Sequence, residues 1–451
     1  MNYLPATEQD KKLMLEKIGV SDIEELFADI PEEIRFKGEL KIPEGVSEYE
    51  LKRILLDLSN QNKNLDNFIS FMGGGVYDHY MPMIVDQILQ RSEWYTAYTP
   101  YQPEISQGTL QNIFEFQTLV CELFAMDISN ASVYDGATAL SEAMLMTCDR
   151  KPEIVVSKAV NPEYRQTLDT YTNGLDVEVK VVELDNLLTP VENYKKHLTK
   201  KTGAVVVQYP NFFGNIEDVR GIAELAHENG SKVIVVVGDI VSMGLFEAPG
   251  NLGADIVVGD GMCFAGPISF SGPSIGMIAA KKDLIRKMPG RIAGLTTDSE
   301  GNRAFVLTLQ AREQHIRREK ALSNICSNQA LYAVATNMTL STLGTSGLRD
   351  ISINSMNNAA YALERFTAIE GVEQASTGNF FNEFTLKLPI PASLLNKRLL
   401  KKGIMGCVDA ERFYPEYPNM GIFFTSEFRT KKEIDYTAEC MEVIFNEQKF
   451  K

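Results

Sequence analysis

The chain is short of the residues that build metal centres. Among its 451 residues there are four histidines, none close to another, and six cysteines: Cys121, Cys148, Cys263, Cys326, Cys407 and Cys440. None of these forms a C-x-x-C pair, so neither a zinc site nor another metal site is expected. A disulfide framework is not expected at this length, and reduced thiols in a cytoplasm fit the scatter best. Positive charge is also scarce. Lys and Arg number 44 against 60 Asp and Glu, for a net charge of −16. That disfavours a general binder of nucleic acid or of an anionic membrane. No apolar run approaches the roughly 18–20 residues that span a bilayer. The polar opening MNYLPATEQDKKLMLEKIG does not read as a secretory or mitochondrial presequence. No phosphate-binding G-x-x-x-x-G-K-[ST] loop occurs.

The most telling absence is local. No lysine lies between Lys232 and Lys281. This gap contains Asn251–Ala280, where an apolar strand at Ala254–Val258 enters a Gly- and Pro-rich loop. A second apolar segment, Ile275–Ala280, leads out.

What is present is ordinary for a globular protein of two or three domains, with 44% hydrophobic and 23% charged residues. Residues 1–65 read as a helical arm. Thr7 caps a helix over Gln9–Ile18 that ends at Gly19, and Ser21 caps a second before Pro31. Ser47 opens a third, with Leu51, Ile54, Leu55 and Leu58 at helical spacing. Residues 66–320 form a large α/β domain. Gly73–Gly75 are a loop or a ligand contact, and a helix covers Pro82–Arg91. The Tyr- and Pro-rich stretch Tyr95–Glu104 is stiff and carries hydrogen-bonding tips. It fills a domain junction or faces a ligand. The apolar helix after it buries Leu110, Ile113, Phe114, Phe116, Leu119, Val120 and Leu123.

From Ile154 to Asp260 β-branched runs alternate with helices, which indicates a mostly parallel sheet. Ligands in such sheets sit beyond the carboxyl ends of the strands. Asn211, Asp239 and the loop Gly259–Gly266 occupy those ends. Asp135-Gly136-Ala137-Thr138 opens a helix, where an anion can bind, although simple capping by Asp135 explains the same residues. A helix is expected at Lys282–Lys287. Residues 303–343 are expected to be largely helical, with the HIRREK segment as a solvated face and Gly344 and Gly347 closing the run. Residues 321–451 form a smaller α+β domain.

Two motif matches fail on context. Gly272–Gly276 fits G-x-S-x-G but lacks the strand before and the helix after a nucleophile elbow. Gly259-Asp260-Gly261 follows a strand without the later glycine of a dinucleotide fingerprint. The stronger signal is an order of parts: a helix-start cradle, an Asn after one strand, an Asp after the next, then a loop. Fold-type-I pyridoxal-phosphate enzymes use this order. The cradle takes the phosphate, the Asp keeps the pyridine nitrogen protonated, and a loop lysine forms the Schiff base. Here no lysine is available for that bond.

Four longer strings carry a resemblance: YTAYTPYQPEISQGTLQNIFEFQT, NASVYDGATALSEA, PGNLGADIVVGDG and LTLQAREQHIRREKALSNICSNQAL. With them the chain resembles the P-protein of the glycine cleavage system, in the form whose two halves are separate chains, and within it the α chain. The resemblance implies a fold-type-I large domain and a smaller C-terminal domain. It implies a β subunit that carries the lysine and the pyridoxal phosphate, in an α2β2-type tetramer acting on glycine. It further implies transfer of the aminomethyl group to the lipoyl arm of H-protein. Tyr98, Thr99, Tyr101, Gln102, Glu104, Ser106 and Gln107 would line or brace a shared site. Asp135, Gly136, Thr138, Asn211 and Asp239 would be relics of a cofactor site. Met262–Ala265 and Cys407 depart from a pattern expected to be more polar and Gly-rich. Lipoyl carriers are acidic, so docking would use basic patches such as Arg312–Lys320 or the partner. A cofactor-free scaffold or regulatory protein of the same descent is the alternative.

Overall fold

A computed structural model describes residues 6–148, 151–270 and 272–449, in two compact units, Met1–Lys63 and Asn64–Lys451. In the first unit the helix Glu8–Ile18 opens on a reciprocal capping box between Thr7 and Asp10 and closes on Gly19 at φ 91°. The next segment is a 3-10 turn, Ile23–Phe27, capped by Asp22 and not by Ser21. Ser21 instead donates its backbone N–H to Glu25 Oε1 at 3.0 Å. The helix Glu48–Ser59 opens on Ser47, and it buries no side chain: Leu51, Ile54, Leu55 and Leu58 are all exposed.

The second unit is built on a seven-stranded sheet. Its strands in chain order are β1 (Ile128–Ser129), β2 (Glu153–Ser157), β3 (Glu178–Val182), β4 (Thr202–Gln208), β5 (Lys232–Val237), β6 (Ile256–Asp260) and β7 (Gly276–Ala280). The spatial order is β1-β7-β6-β5-β4-β2-β3. β6, β5, β4, β2 and β3 run parallel, and β7 is antiparallel to both β6 and β1. Alternate residues feed opposite faces, as the strand period of two requires. Val155, Val205, Val233 and Val235 pack with Phe116, Val120 and Ile222 on one side. Ile154, Val156, Val206 and Ile234 pack with Leu140, Met144 and Leu168 on the other. Layers of helix on both faces leave the carboxyl edge of the sheet as the place for a site.

Three helical expectations give way. Lys282–Lys287 is a single 3-10 turn, Lys282–Leu284. Residues 303–343 do not form a largely helical run. Arg303–Thr308 is a strand, paired antiparallel with Ile292–Thr297, and continuous helix begins only at Ala330. Leu309 and Arg318 both take positive φ, at 53° and 54°, which breaks the backbone between them into short turns. Gly344 and Gly347 do not end the long helix. It runs from Ala330 to Thr367 and only kinks at Gly344, φ 58°. One long helix thus serves two cores along its length. Ala333, Ala335 and Ile351 join the sheet core, while Ala359, Ala362 and Phe366 join the C-terminal one.

That C-terminal core lies under a four-stranded antiparallel sheet ordered Glu373–Gln374, Glu383–Lys387, Met420–Phe424, Val408–Asp409. The helices Ala392–Leu399 and Lys431–Lys449 complete it, with Leu395 and Met441 fully buried. Ile69–Ser70 pairs in parallel with Ile404–Met405 and so ties residues 69–80 to this part of the molecule. Cys407 is buried there, its backbone N–H donating to Asn396 Oδ1 at 2.9 Å. No described helix is long and apolar enough to cross a membrane.

Candidate functional site

Asp239 stands two residues past β5, almost wholly buried, with both carboxylate oxygens engaged. Oδ1 accepts the Val241 N–H at 3.0 Å. Oδ2 accepts the Asn382 amide at 2.6 Å and lies 2.9 Å from His79 Nε2. The other ring nitrogen of His79 lies 2.8 Å from Glu427 Oε2, which also accepts the Ser355 hydroxyl at 3.0 Å. The imidazole is therefore held between two carboxylates. Burial alone would lower its pKa, but Asp239 and Glu427 outweigh that and lift it to about 10. The ring is an imidazolium at neutral pH. Burial works against the ionised form of Asp239 too, yet the His79 charge and the hydrogen bonds hold its pKa below the usual carboxylate range.

A second buried carboxyl sits nearby. Glu383 Oε1 accepts the Gly74 N–H at 2.7 Å, and Oε2 accepts the Tyr77 hydroxyl at 2.8 Å. Burial pushes Glu383 up to about 8, against the pull of those two bonds. The glycines are explained by this contact. A Cβ on Gly73 would collide with the Glu383 side chain and with Phe424, and Gly74 has φ 72°.

The helix start is also occupied from within. Asp135 Oδ1 accepts the Thr138 N–H at 2.7 Å, which is the capping role. The Gly136 N–H donates to Asp260 Oδ2 at 3.0 Å, from the end of β6. Asp260 Oδ1 accepts the Met262 N–H at 3.0 Å and the Ser274 hydroxyl at 2.5 Å. A Cβ on Gly136 would strike the Tyr164 hydroxyl. Met262–Ala265 form one buried helical turn against this cluster. Burial, reinforced by Asp239, Asp260 and Glu427, drives the Cys263 thiol well above its ordinary pKa, so it is not a thiolate.

Asn211 belongs to a turn. Its amide N donates to the Leu187 carbonyl at 2.9 Å and to Glu217 Oε1 at 2.8 Å. Its Oδ1 accepts the Phe213 and Asn215 N–H groups, both at 3.0 Å. All of its hydrogen-bonding capacity is spent on local structure.

Pyridoxal phosphate does not fit these residues. The loop offers no amine, the Asp239 oxygens are taken, and the Gly136 N–H already holds a carboxylate. A cavity of about 450 Å³, lined by residues such as Lys151, Lys232 and Lys287, opens at the opposite edge of the sheet, by the start of β4 and β5.

The aromatic stretch gathers elsewhere, against the hairpin Ile292–Thr308. The Arg291 guanidinium lies 5.6 Å from the centre of the Tyr101 ring and donates to its hydroxyl at 3.3 Å and to Ser327 Oγ at 3.2 Å. His315 meets the same ring edge-on at 5.9 Å. Gln107 clamps the hairpin backbone, accepting the Phe305 N–H at 2.8 Å and donating to the Phe305 carbonyl at 2.9 Å. Ser106 is buried and Thr99 half-buried, whereas Tyr98, Gln102 and Glu104 face outward; Tyr98 is 84% exposed. Arg312 is half-buried, its guanidinium on the Met288 and Gly290 carbonyls, so it belongs to the fold more than to a basic surface.

Sequence reasoning met Asp260 only as part of the loop Gly259–Gly266, without its role, and missed His79, Asn382, Glu383, Glu427 and Arg291. Only His79 carried a signal, as a rare residue beside a glycine run. The others read as ordinary charged or polar positions whose burial depends on tertiary packing.

Comparison with known proteins places this geometry. The family description "Glycine cleavage system P-protein" matches residues 1–441. A protein of Geobacillus sp. strain WCH70, named probable glycine dehydrogenase (decarboxylating) subunit 1, is 50% identical over 96% of this chain and 97% of its own length. A protein of the same name from Bacillus licheniformis is 51% identical over the same shares. A crystal structure of glycine decarboxylase (P-protein), in inhibitor-bound form, superposes with a TM-score of 0.91. It is 39% identical and covers 98% of this chain and 100% of that one. A glutamate decarboxylase from Lactobacillus brevis matches with a TM-score of 0.67 over 92% of this chain and 96% of its own. It is only 13% identical and speaks for the fold alone. The large domain has the fold-type-I architecture of pyridoxal-phosphate enzymes. With near-complete coverage by a family model and by relatives at half identity, the chain belongs to the glycine cleavage system P-protein family.

Proposed function

We propose that the chain is the non-cofactor subunit of a two-chain glycine decarboxylase. With a sister β subunit it decarboxylates glycine and passes the aminomethyl group to the lipoyl arm of H-protein. One conjunction carries the reading. The chain resembles P-protein subunits along nearly its whole length, yet its own strand-end aspartate is hydrogen-bonded to His79 and no lysine lies between Lys232 and Lys281. Schiff-base chemistry therefore falls to the partner, which supplies the pyridoxal phosphate in an α2β2-type tetramer.

In this reading the chain's own contribution is a surface. Tyr98, Gln102 and Glu104 face outward and line the shared region. Tyr101, Ser106 and Gln107 brace it through Arg291 and the hairpin, and Thr99 lies between the two groups. The arm's exposed leucines and Ile54 give an apolar helix face for a partner subunit. Domain limits of 1–65, 66–320 and 321–451 and a cytoplasmic location, suited to six free thiols, complete the proposal. The test is glycine–CO2 exchange by the chain alone, by the sister chain alone, and by the mixture. Exchange that appears only in the mixture supports the reading. No gain over the sister chain favours a scaffold or regulatory role.

A further inference from the structure

A site that has merely lost a lysine should still present a free carboxylate and a free helix start. This one presents neither. In a fold-type-I site the strand-end aspartate holds the N–H of a flat aromatic cation, and the helix N-terminus holds an oxyanion. Here the Asp239 carboxylate lies 2.9 Å from a ring nitrogen of a flat aromatic side chain, His79, which is itself fully enclosed. The Gly136 N–H donates to the Asp260 carboxylate at 3.0 Å. The fill is complete on both sides of the ring: Nδ1 lies 2.8 Å from Glu427, and Phe424 covers an edge at 5.5 Å. An emptied cofactor pocket would leave buried carboxylates without partners, which destabilises a fold.

We propose that His79 and Asp260 are built-in replacements for the cofactor's cationic ring and its anionic group, so that the chain closes its own pocket. Two consequences follow. Restoring a lysine alone does not make a cofactor site, because both recognition points are taken. Removing the His79 ring leaves a cavity walled by Asp239, Glu427 and Asn382 that accepts a small aromatic cation from solution. The inference concerns the isolated full chain. It stands or falls independently of exchange activity with a sister chain.

The test is chemical rescue of His79→Gly. Its melting temperature should fall, and millimolar imidazole or 4-methylpyridine should restore at least half of the loss. Toluene, of similar shape but unable to pair with a carboxylate, should restore little, and imidazole should leave the wild type unchanged. Equal rescue by toluene, or none by imidazole, overturns the cationic half. For the anionic half, inorganic phosphate should raise the melting temperature of Asp260→Gly more than that of the wild type; an equal rise overturns it. Should His79→Gly not fold, nitrogen NMR of the wild-type histidines decides. The proposal requires one of the four rings to be doubly protonated near pH 8 with both N–H groups slow to exchange, and to be the signal missing from His79→Gln. A neutral or rapidly exchanging His79 overturns the proposal.

Discussion

His79 reaches Asp239 through Nε2 at 2.9 Å and Glu427 through Nδ1 at 2.8 Å, so one buried ring joins the end of β5 to the segment after the last strand of the C-terminal sheet. The pairing makes stability depend on pH in a defined direction. The His79 pKa rises from 6.5 to about 10 on folding. A raised folded pKa means that the folded state holds the proton more tightly. The contribution is thus full below about pH 6.5 and is lost as pH climbs through about 10. Asp239, Glu427, Glu383, Tyr77 and Asp78 are the titratable groups around the ring. Wild type should exceed His79→Gln in melting temperature by most near pH 6.5, and the gap should close as the medium becomes alkaline. A gap constant from pH 6.5 to 10 would contradict the ion pair.

Glu383 follows the same pH direction as His79, but its substitution should cost little near pH 6. Its folded pKa of about 8 against 4.5 unfolded makes it a neutral acid at pH 6, accepting from Gly74 and Tyr77. Glu383→Gln keeps the shape and the neutrality, so the loss at pH 6 should stay within about 1 kcal/mol. The proton-linked stability of the wild type is present below 4.5 and lost as pH rises through 8. Denaturant titrations should therefore show the variant gaining on the wild type between pH 6 and 9. A large loss at pH 6 would mean that Glu383 is ionised there.

The aromatic stretch divides into residues that brace and residues that face outward, and substitutions should separate them. Gln107→Leu removes both bonds to Phe305 and should cost about 1–3 kcal/mol in the chain by itself. Tyr98→Phe and Glu104→Gln sit on exposed side chains and should leave stability unchanged. In the assembled complex they should lower glycine–CO2 exchange by about tenfold or more, with the partner's cofactor content retained. Unchanged turnover would make that stretch packing only.

The arm predicts an assembly defect. Leu51 and Leu55 are one turn apart and exposed, 47% and 56%. Leu51→Glu with Leu55→Glu should leave the melting of the remainder of the chain unaltered while weakening co-purification with the sister chain. Intact assembly would free that face of any contact role.

Much of the sheet could be read from the sequence because buried parallel strands announce themselves as β-branched runs, as in Val205–Val207 and Val233–Val237. Strand ends followed from those runs, and with them the places of Asn211 and Asp239. The strand Arg303–Thr308 was hidden because it adjoins residues 309–320, where helix formers such as Gln310, Ala311, Arg312, Glu313 and Gln314 suggest a helix. What stops a helix there is tertiary: positive φ at Leu309 and Arg318 lets Arg312 reach the Met288 and Gly290 carbonyls. The occupant of the site was equally hidden. His79 lies 160 positions from Asp239 and Glu427 lies 348 from His79, and no local pattern links residues so far apart. The helix start at Asp135–Thr138 is likewise a cap, and its nearby anion is a side chain of the same protein.

In the proposed division of labour this chain completes a decarboxylase without holding the cofactor. The most direct measurement combines borohydride trapping of pyridoxal phosphate with glycine–CO2 exchange, on each chain alone and on the mixture. A trapped lysine is expected on the sister chain only, and exchange only in the mixture. A trapped lysine on this chain, with exchange by this chain alone, would contradict that division.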